Sequence, residues 1–261
     1  MPEEQHRRTR RAATAVRTAA LWAAVRDLVA ERADALGRPL RVLDLGGGTG
    51  ELAVPLAELG TGLVADVTVV DPSPDALAAL ARRAADSGVH TRVHGRQGDA
   101  DTLADLLPER AFDLVCCHGV LEVVDDPAAT LAVLATSLAD DGYLSLLVAG
   151  RLAAVWARAL AGELGQAHTA LTSPDGRWGA HDPLPRRFDL AQLRGLVEDA
   201  GLQVQRWHGI RLLADLVPST AVDTDAERAA LIALEDGLAG HAAYPFLGEL
   251  GAALHVLARR G

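Results

Sequence analysis

The chain has 261 residues, of which 49% are hydrophobic, 23% are charged and only 3% are aromatic. This length and composition suit a globular α/β protein whose core is built from Leu, Val and Ala. The net charge of −10 argues against a protein that coats nucleic acid, and no uncharged run approaches the ~20 residues of a membrane-spanning helix or forms a signal peptide.

The first part of the chain alternates helices and strands. Small apolar residues at helical spacing predict a helix over 13–36 that ends at Gly37. The next elements are predicted, in chain order, as strand 41–45, helix 51–59, strand 66–70, helix 72–86, strand 89–94, strand 112–116, helix 127–139 and strand 143–148. Strands that alternate with helices of this length predict βαβ units and a parallel sheet with helices on both faces.

The rhythm changes after Gly150. Residues 166–188 are rich in Gly, Pro, Ser, Asp and His without periodicity, which predicts a loop or a lid. The remaining elements are predicted as helix 152–164, helix 190–200, strand 202–210, helix 224–238 and strand 252–258. The expected fold is a doubly wound, mostly parallel seven-stranded sheet with an N-terminal helix and an embellished C-terminal hairpin. We expect one domain over 1–261, with a helical cap to residue 37, a core over 38–150 and a covering region over 151–261.

The segment RVLDLGGGTG (41–50) runs from a strand through an acid into four glycines, Gly46, Gly47, Gly48 and Gly50. Read from Gly48, it matches the dinucleotide pattern G-x-G-x-x-A. The acid, Asp44, favours S-adenosylmethionine, because acid-x-G-x-G-x-G is the first motif of class I methyltransferases that use this cofactor. A carboxylate suits the ammonium and sulfonium groups of that molecule and is a poor neighbour for a pyrophosphate.

Three later strand ends extend this nucleotide site. Asp71, followed by Pro72, ends the second strand and can accept both ribose hydroxyls, a feature that NAD enzymes share. Further cofactor residues are expected after the third strand, where a carboxylate suits the adenine amine, and in the segment FDLVCCHGVLEVVDDP (112–127): they are Gly98, Asp99, Ala100 and His118. Asp71 alone would as often be a helix cap. The motifs in this order indicate a nucleoside site.

With these motifs in place, the chain resembles the bacterial tRNA 5-carboxymethoxyuridine methyltransferase family over most of its length. The segments that carry the resemblance are VRTAALW (16–22), RVLDLGGGTG, VVDPS (69–73), CHGVLEVVDDP (117–127), LSLL (144–147), 189–217 and LEDGLAGHAAYPFLGEL (234–250). The resemblance implies a Rossmann-like fold, S-adenosyl-L-methionine as cofactor and a cofactor-binding core over 38–150, with the substrate-side region over 151–261.

The resemblance also assigns roles to single residues. It implies that Arg17 grips the carboxylate of the cofactor, and that Arg211 and Tyr244 belong to the substrate pocket. It matches Gly46, Gly47, Asp71 and His118 to cofactor positions. By its own surroundings Arg211 predicts a bound anion or a salt bridge, because an unpaired charge between Ile210 and Leu212 is costly to bury.

The acceptor stays open between two classes. The expected reaction moves a methyl group to an oxygen, with carboxylate as one case, or to a nitrogen of either a small metabolite or a modified tRNA wobble uridine. The acidic charge and the absence of a Lys-rich run before the substrate loop favour a small molecule, whereas the full-length pattern favours tRNA. A carboxylate acceptor needs no general base, so His118 is expected to be a pocket wall, with a base role open for other acceptors.

Two rival functions remain. An NAD(P)-dependent oxidoreductase would need a Tyr–Lys pair or its equivalent, and the chain has no Lys. A non-catalytic nucleotide-binding domain of the same fold is the other rival. No metal site is expected, because His90 and His94 would share only one face of a short strand. The adjacent Cys116 and Cys117 fit a reducing, cytoplasmic setting.

Overall fold

A computed structural model describes residues 20–100, 102–106, 109–218 and 221–261. The strands β1 to β7 are Leu40–Leu45, Val64–Asp71, Val93–Gln97, Phe112–His118, Leu138–Ala149, Leu202–Ile210 and Ala253–Arg260. They form a seven-stranded sheet in the order β3-β2-β1-β4-β5-β7-β6. The pairs from β3 to β5 are parallel, and the C-terminal hairpin is antiparallel. The predicted doubly wound fold is confirmed.

Helices follow most strands. The helices α1 to α9 are 20–36, Ala53–Glu58, Pro74–Asp86, Leu103–Leu106, Pro127–Ser137, Arg151–Leu160, Leu164–Thr172, Leu190–Asp199 and Asp225–Ala239, and a 3-10 helix covers Pro245–Leu250. Local sequence sets their starts, since Ser73 and Asp126 accept hydrogen bonds from the first turns of α3 and α5. A Pro follows each cap in the first turn, where its missing N–H is not needed. No helix in the described ranges is long and apolar enough to cross a membrane.

The chain divides into two compact units. We call Arg26–Val148, Ala191–Arg206 and Val256–Gly261 the first unit, and the described residues of the remainder, mainly Ala149–Leu190 and Trp207–His255, the second unit. The chain passes from one to the other at the end of β5, close to the core boundary expected at residue 150. The expected division of one domain into cap, core and substrate-side region stays a prediction.

Two cysteines mark the centre of the first unit. Cys116 and Cys117 are successive residues of β4, and both are free and fully buried. Since neighbouring side chains on a strand point to opposite faces, one thiol lies under each face of the sheet. Burial raises the pKa of both thiols.

The third strand lies later in the chain than predicted. It covers Val93–Gln97 rather than 89–94, and Val89 is buried in the turn that follows α3. The predicted placement of His90 and His94 on one strand face is therefore wrong, because His90 precedes the strand. The error has a physical cause. The strand β3 lies at one edge of the sheet, and its exposed, polar sequence lacks the apolar signal of a central strand.

Two further boundaries differ from the prediction. The strand β5 begins at Leu138 instead of 143, and the expected turn at Asp141, with φ of +62°, lies within the strand at an irregularity in its pairing with β4. The expected loop 166–188 begins inside a helix, because α7 buries Ala167 and Ala170 and packs against α6. Only the later part of that segment is irregular.

Candidate active site

The loop after β1 depends on glycine at two adjacent positions. Gly46 has φ of +69°, and its N–H donates to the carbonyl of Val70 at 2.7 Å, which continues the pairing of β1 with β2 into the loop. A Cβ on Gly47 would lie 2.9 Å from Val69 Cγ1 and would overlap Asp44 Oδ2. A larger residue at Gly47 would therefore displace either the loop or the carboxylate beneath it.

Asp44 lies under this loop as a buried and incompletely paired carboxylate. It is 2% exposed, and its Oδ2 has no hydrogen-bond partner. Burial, and then the negative charge of Asp71, raise the pKa of Asp44 to about 7. Such a group is stabilised by a nearby cation. The arrangement suits a positively charged ligand, although Asp44 is not among the residues that line the cavity at these strand ends.

Asp71 ends β2 with its carboxylate fixed by backbone amides. Its Oδ2 accepts from the N–H of Gly48 at 2.9 Å, and its Oδ1 accepts from the N–H of Ser73 at 2.9 Å. Each carboxylate oxygen can accept a second hydrogen bond. The geometry therefore leaves Asp71 able to accept two hydroxyl groups from a ligand in the cavity.

A cavity of about 410 Å³ opens within the first unit at these strand ends. Seven predicted cofactor residues line it: Gly46, Asp71, Pro72, Gly98, Asp99, Ala100 and His118. The prediction missed six other lining residues: Leu45, Gly119, Val120, Val123, Val124 and Asp125. A signal for most of them existed, because they follow β4, which neighbours β1 in the sheet, and ligands bind where such strand ends meet.

Three predicted cofactor glycines do not line the cavity: Gly47, whose close contacts are given above, Gly48 and Gly50. Gly48 holds Asp71 through its N–H, as described above. Gly50 has φ of +78°, and a Cβ there would collide with Leu80 of α3 and lie 3.2 Å from Val54. Its glycine allows the loop and α3 to pack closely. Arg17, the residue expected to grip the cofactor carboxylate, lies outside the described residues.

Asp99 serves a local structural purpose as well as lining the cavity. Its Oδ1 accepts from the N–H of Thr102 at 3.0 Å and from the Thr102 hydroxyl at 2.9 Å, just before α4. The backbone beside it is tightly placed, since a Cβ on Gly98 would lie 3.2 Å from Thr102 Oγ1. The adenine role of Asp99 stays a prediction.

His118 ends β4 as an uncharged group. Its Nε2 lies 2.9 Å from Ser145 Oγ, and burial lowers its pKa to about 4. The imidazole is therefore neutral near pH 7, and a base of such low pKa removes protons poorly. This favours the interpretation of His118 as a pocket wall over that of a general base.

The second unit contains a cavity of about 550 Å³ with a different lining. Fourteen of its eighteen described lining residues are Ala, Leu or Trp. They come from the end of β5, from α6, from the turn after β6 and from the C-terminal region. Among the described lining residues two carry positive charge, Arg187 and Arg211.

Arg187 is already neutralised by a buried partner. It forms a bidentate ion pair with Asp182, in which Nη1 donates to Oδ2 and Nη2 donates to Oδ1 at 2.9 Å. The hydrogen bonds from Arg187 and from the N–H groups of Trp178 and Leu184 outweigh burial and hold the pKa of Asp182 below its usual value. Arg151 adds a second anchor, because it donates to the carbonyl of Pro174 at 3.0 Å. Buried charges thus hold the expected lid segment in place.

Arg211 projects from a turn with an unusual backbone. Its φ is +61°, and its Nε lies 3.4 Å from Asp215 Oδ2. The buried carboxylate of Glu235 on α9 holds the turn by accepting from three successive N–H groups, those of Leu212 at 2.8 Å, Leu213 at 2.7 Å and Ala214 at 2.6 Å. Arg211 thus lines this cavity as a fixed cation, and its substrate role stays a prediction.

Sequence reasoning missed Glu235. A signal existed, because Glu235 lies four residues from both Leu231 and Ala239 and so shares the buried face of α9. A buried carboxylate on an apolar helix face indicates a fixed polar partner. That partner is the turn that carries Arg211.

Tyr244 lies apart from the lining of this cavity. It is 54% exposed, and its ring stacks on His241 with centroids 5.0 Å apart. Its substrate role stays a prediction. Among the described residues, no group of three or more His, Cys, Asp or Glu side chains is arranged to hold a metal ion.

The first cavity fits S-adenosylmethionine. The orphaned oxygen of Asp44 suits its positive charge, Asp71 suits its ribose, and Asp99 among small residues suits the amine of an adenine. The glycine loop provides the close backbone approach that such a ligand requires.

Comparisons with known proteins agree with this geometry. A family model described as a methyltransferase domain matches residues 8–206. The chain is 30% identical over 245 residues to the tRNA 5-carboxymethoxyuridine methyltransferase of Escherichia coli K12, which covers 94% of this chain and 88% of that protein. It is 31% identical over 172 residues to the ubiquinone biosynthesis O-methyltransferase of Xanthomonas axonopodis, which covers 65% of each protein.

One more relative matches over a shorter part of the chain, and one solved structure shares the fold at lower sequence identity. The chain is 42% identical over 117 residues to an uncharacterized Synechococcus protein, a match that covers 45% of this chain and spans only 27% of that relative. The fold is similar to that of a SAM-dependent methyltransferase from Methanosarcina mazei, with a TM-score of 0.58, 18% identity, and coverage of 85% of this chain and 93% of that one. The comparisons give no support to an oxidoreductase.

Proposed function

Because the chain belongs to the S-adenosylmethionine-dependent methyltransferase family, we propose that it methylates an oxygen of a small acceptor that carries an anionic group, with a carboxylate as the simplest case. The observation that carries this proposal is the placement of Arg211, beside Asp215, in a cavity of about 550 Å³ lined mainly by Ala and Leu. Ligand pockets typically combine an apolar lining with a few polar groups that fix orientation.

The first unit would hold the cofactor. When bound, S-adenosylmethionine supplies a methyl group on a positively charged sulfur. Asp44 would stabilise the positive charge of the ligand, and Asp71 would accept the ribose hydroxyls. Gly46 and Gly47 would allow the backbone to approach, and Asp99 and His118 would form walls.

The second unit would orient the acceptor. An ionised carboxylate is already a nucleophile, so the neutral His118 is consistent with it. Arg211 would hold the acceptor anion through charge-assisted hydrogen bonds. Catalysis would then depend mainly on positioning, which can contribute ~7–11 kcal/mol.

A second candidate acceptor is a modified wobble uridine in tRNA. The relative that shares 30% identity over 94% of this chain is named for that substrate. The same guanidinium of Arg211 would then meet the carboxylate of the uridine side chain. The net charge of −10 and the apolar lining support the small acceptor over tRNA.

The test is transfer of a labelled methyl group from S-adenosylmethionine to two kinds of acceptor, small carboxylic acids and tRNA that lacks the final methyl group. We expect a base-labile methyl ester on an acid. Arg211→Gln should raise the KM for the acid, whereas Arg194→Gln, on the exposed face of α8, should not. Label in tRNA alone would replace this proposal with the second candidate.

The cellular setting follows the same reasoning. Free, buried Cys116 and Cys117 are consistent with a reducing compartment. The proposed location is therefore the cytoplasm, and fractionation of cells that express the chain would test it.

A further inference from the structure

The second-unit cavity has an exposed apolar rim. Three of its lining residues are large and largely solvent-accessible: Trp156 is 52% exposed, Leu160 is 65% exposed and Leu216 is 47% exposed. Large apolar side chains at the mouth of a cavity are costly to leave in water and mark a surface that a ligand covers. The rim therefore belongs to the binding site as much as the interior does.

The helix α6 forms one wall of this cavity. Ala153, Trp156, Ala157 and Leu160 line it and repeat at the spacing of one helix face. The alanines keep the groove open, while Trp156 and Leu160 extend beyond them. One face of a single helix thus provides a continuous apolar track of more than two turns.

The charged lining residues of the same cavity lie on two segments, neither of which is α6. Arg187 is paired with Asp182, so its positive charge is already matched. Arg211 and Asp215 lie together on the turn after β6, which Glu235 fixes. The cavity is therefore polar at this turn and at Arg187, and apolar along α6.

We propose that the acceptor is an amphiphile, with its anionic group at Arg211 and a flexible apolar chain that lies along α6 over Trp156 and Leu160. This inference rests on the proposed function, because it names the acceptor class for the same site. The continuity of a single cavity from Arg211 to the rim makes the chain of the acceptor its occupant. A uracil ring would leave its carbonyl and N–H groups unpaired against the Ala and Leu lining.

The experiment measures methyl ester formation on a series of straight-chain carboxylic acids from butanoic to dodecanoic acid. We expect kcat/KM to rise about fourfold for each added methylene, since burial of one such group is worth ~0.8 kcal/mol. The rise should stop once the chain extends past the rim.

A matched pair of variants locates the chain. Leu160→Ser should flatten the dependence on chain length. Leu171→Ser is the control, because Leu171 is 51% exposed on α7 but does not line the cavity. Trp156→Ala should act like Leu160→Ser.

The outcomes separate the two proposals. Methylation of short acids without dependence on chain length would overturn the amphiphile and leave the proposed function intact. Methylation of tRNA and of no acid would overturn both. Equal effects of Leu160→Ser and Leu171→Ser would also overturn the amphiphile, as would a dimer in sedimentation that Leu160→Ser dissociates, because a second copy would then cover the rim.

Discussion

The two cavities are built by different means. The first-unit cavity depends on the backbone: glycines with positive φ turn the loop after β1, and amide groups of Gly48 and Ser73 aim Asp71. The second-unit cavity depends on side chains: Ala and Leu line it, and the buried carboxylates of Asp182 and Glu235 hold its polar parts. A site made by backbone tolerates few sequences, whereas a site made by side chains can change its ligand through single substitutions.

The largest expected effect is on the backbone-built site. Gly47→Ala should lower the affinity for S-adenosylhomocysteine about 100-fold or more, because its Cβ would collide with Asp44 and Val69 in a packed loop. Calorimetric titration measures this affinity. Gly62→Ala is the control, since nothing lies within 4 Å of a Cβ there. Unchanged affinity in the Gly47 variant would show that the loop does not form the site.

Removal of a buried charge partner should destabilise the second unit. Asp182→Asn should lower the free energy of unfolding by about 3 kcal/mol, because it leaves Arg187 buried without its counter-charge. The exposed Asp223→Asn serves as control. The lowered pKa of Asp182 stabilises the fold above the unfolded pKa, and that stabilisation is lost as pH falls through the folded pKa. Denaturation at several pH values should show the free energies of unfolding of the unchanged protein and of Asp182→Asn converging in acid.

The next prediction concerns the turn that carries Arg211. In Glu235→Gln the NH₂ group that replaces one carboxylate oxygen cannot accept, so at least one of three N–H groups loses its partner, at about 1 kcal/mol each. We expect the KM for the acceptor to rise about tenfold with little change in kcat or in cofactor affinity. The neighbouring, exposed Asp236→Asn should leave KM unchanged. Equal losses of cofactor and acceptor binding would argue against a local role for Glu235.

The smallest effect is a pH dependence confined to the first unit. A cationic ligand binds the ionised form of Asp44, whose pKa is about 7, so cofactor affinity should fall as pH drops below 7 and level off above it. The loss should approach tenfold per pH unit. Titration of Asp44→Asn should give weaker binding without this dependence. A pH profile that is the same in both proteins would remove Asp44 from the site.

The same raised pKa makes a prediction about stability with the opposite sign from that for Asp182. A carboxyl whose folded pKa is raised stabilises the fold below its unfolded pKa, and this contribution is lost as pH rises towards 7. Asp44→Asn should therefore raise the melting temperature of the ligand-free protein near pH 8. A lower melting temperature would mean that the carboxylate has a stabilising partner.

Much of the first unit could be predicted from sequence because its signals are local. A glycine that needs positive φ, a Ser or Asp cap followed by Pro, and an acid at a strand end each stand in the sequence where they act. The edge strand β3 was misplaced because its exposed residues lack the apolar pattern that identified the central strands.

The second unit was less predictable because its contacts join distant residues. Glu235 meets a turn more than 20 positions earlier, and only the fold brings them together. The helix α7 was missed because the Gly and Pro that follow it dominated the composition of the segment. The apolar lining was likewise invisible, since Ala and Leu in a helix are read as core until the structure shows that they face a cavity.

The two adjacent thiols of β4 can report how often the sheet opens. Cys116 and Cys117 are buried under opposite faces of the sheet, and their raised pKa values keep them in the unreactive thiol form. Alkylation can occur only when β4 separates from its neighbours, so the labelling rate reports how often the sheet opens. Because β4 lies beside β1 and ends at the first-unit cavity, a bound cofactor should slow this labelling. Mass spectrometry of the alkylated protein could follow ligand binding without any engineered probe.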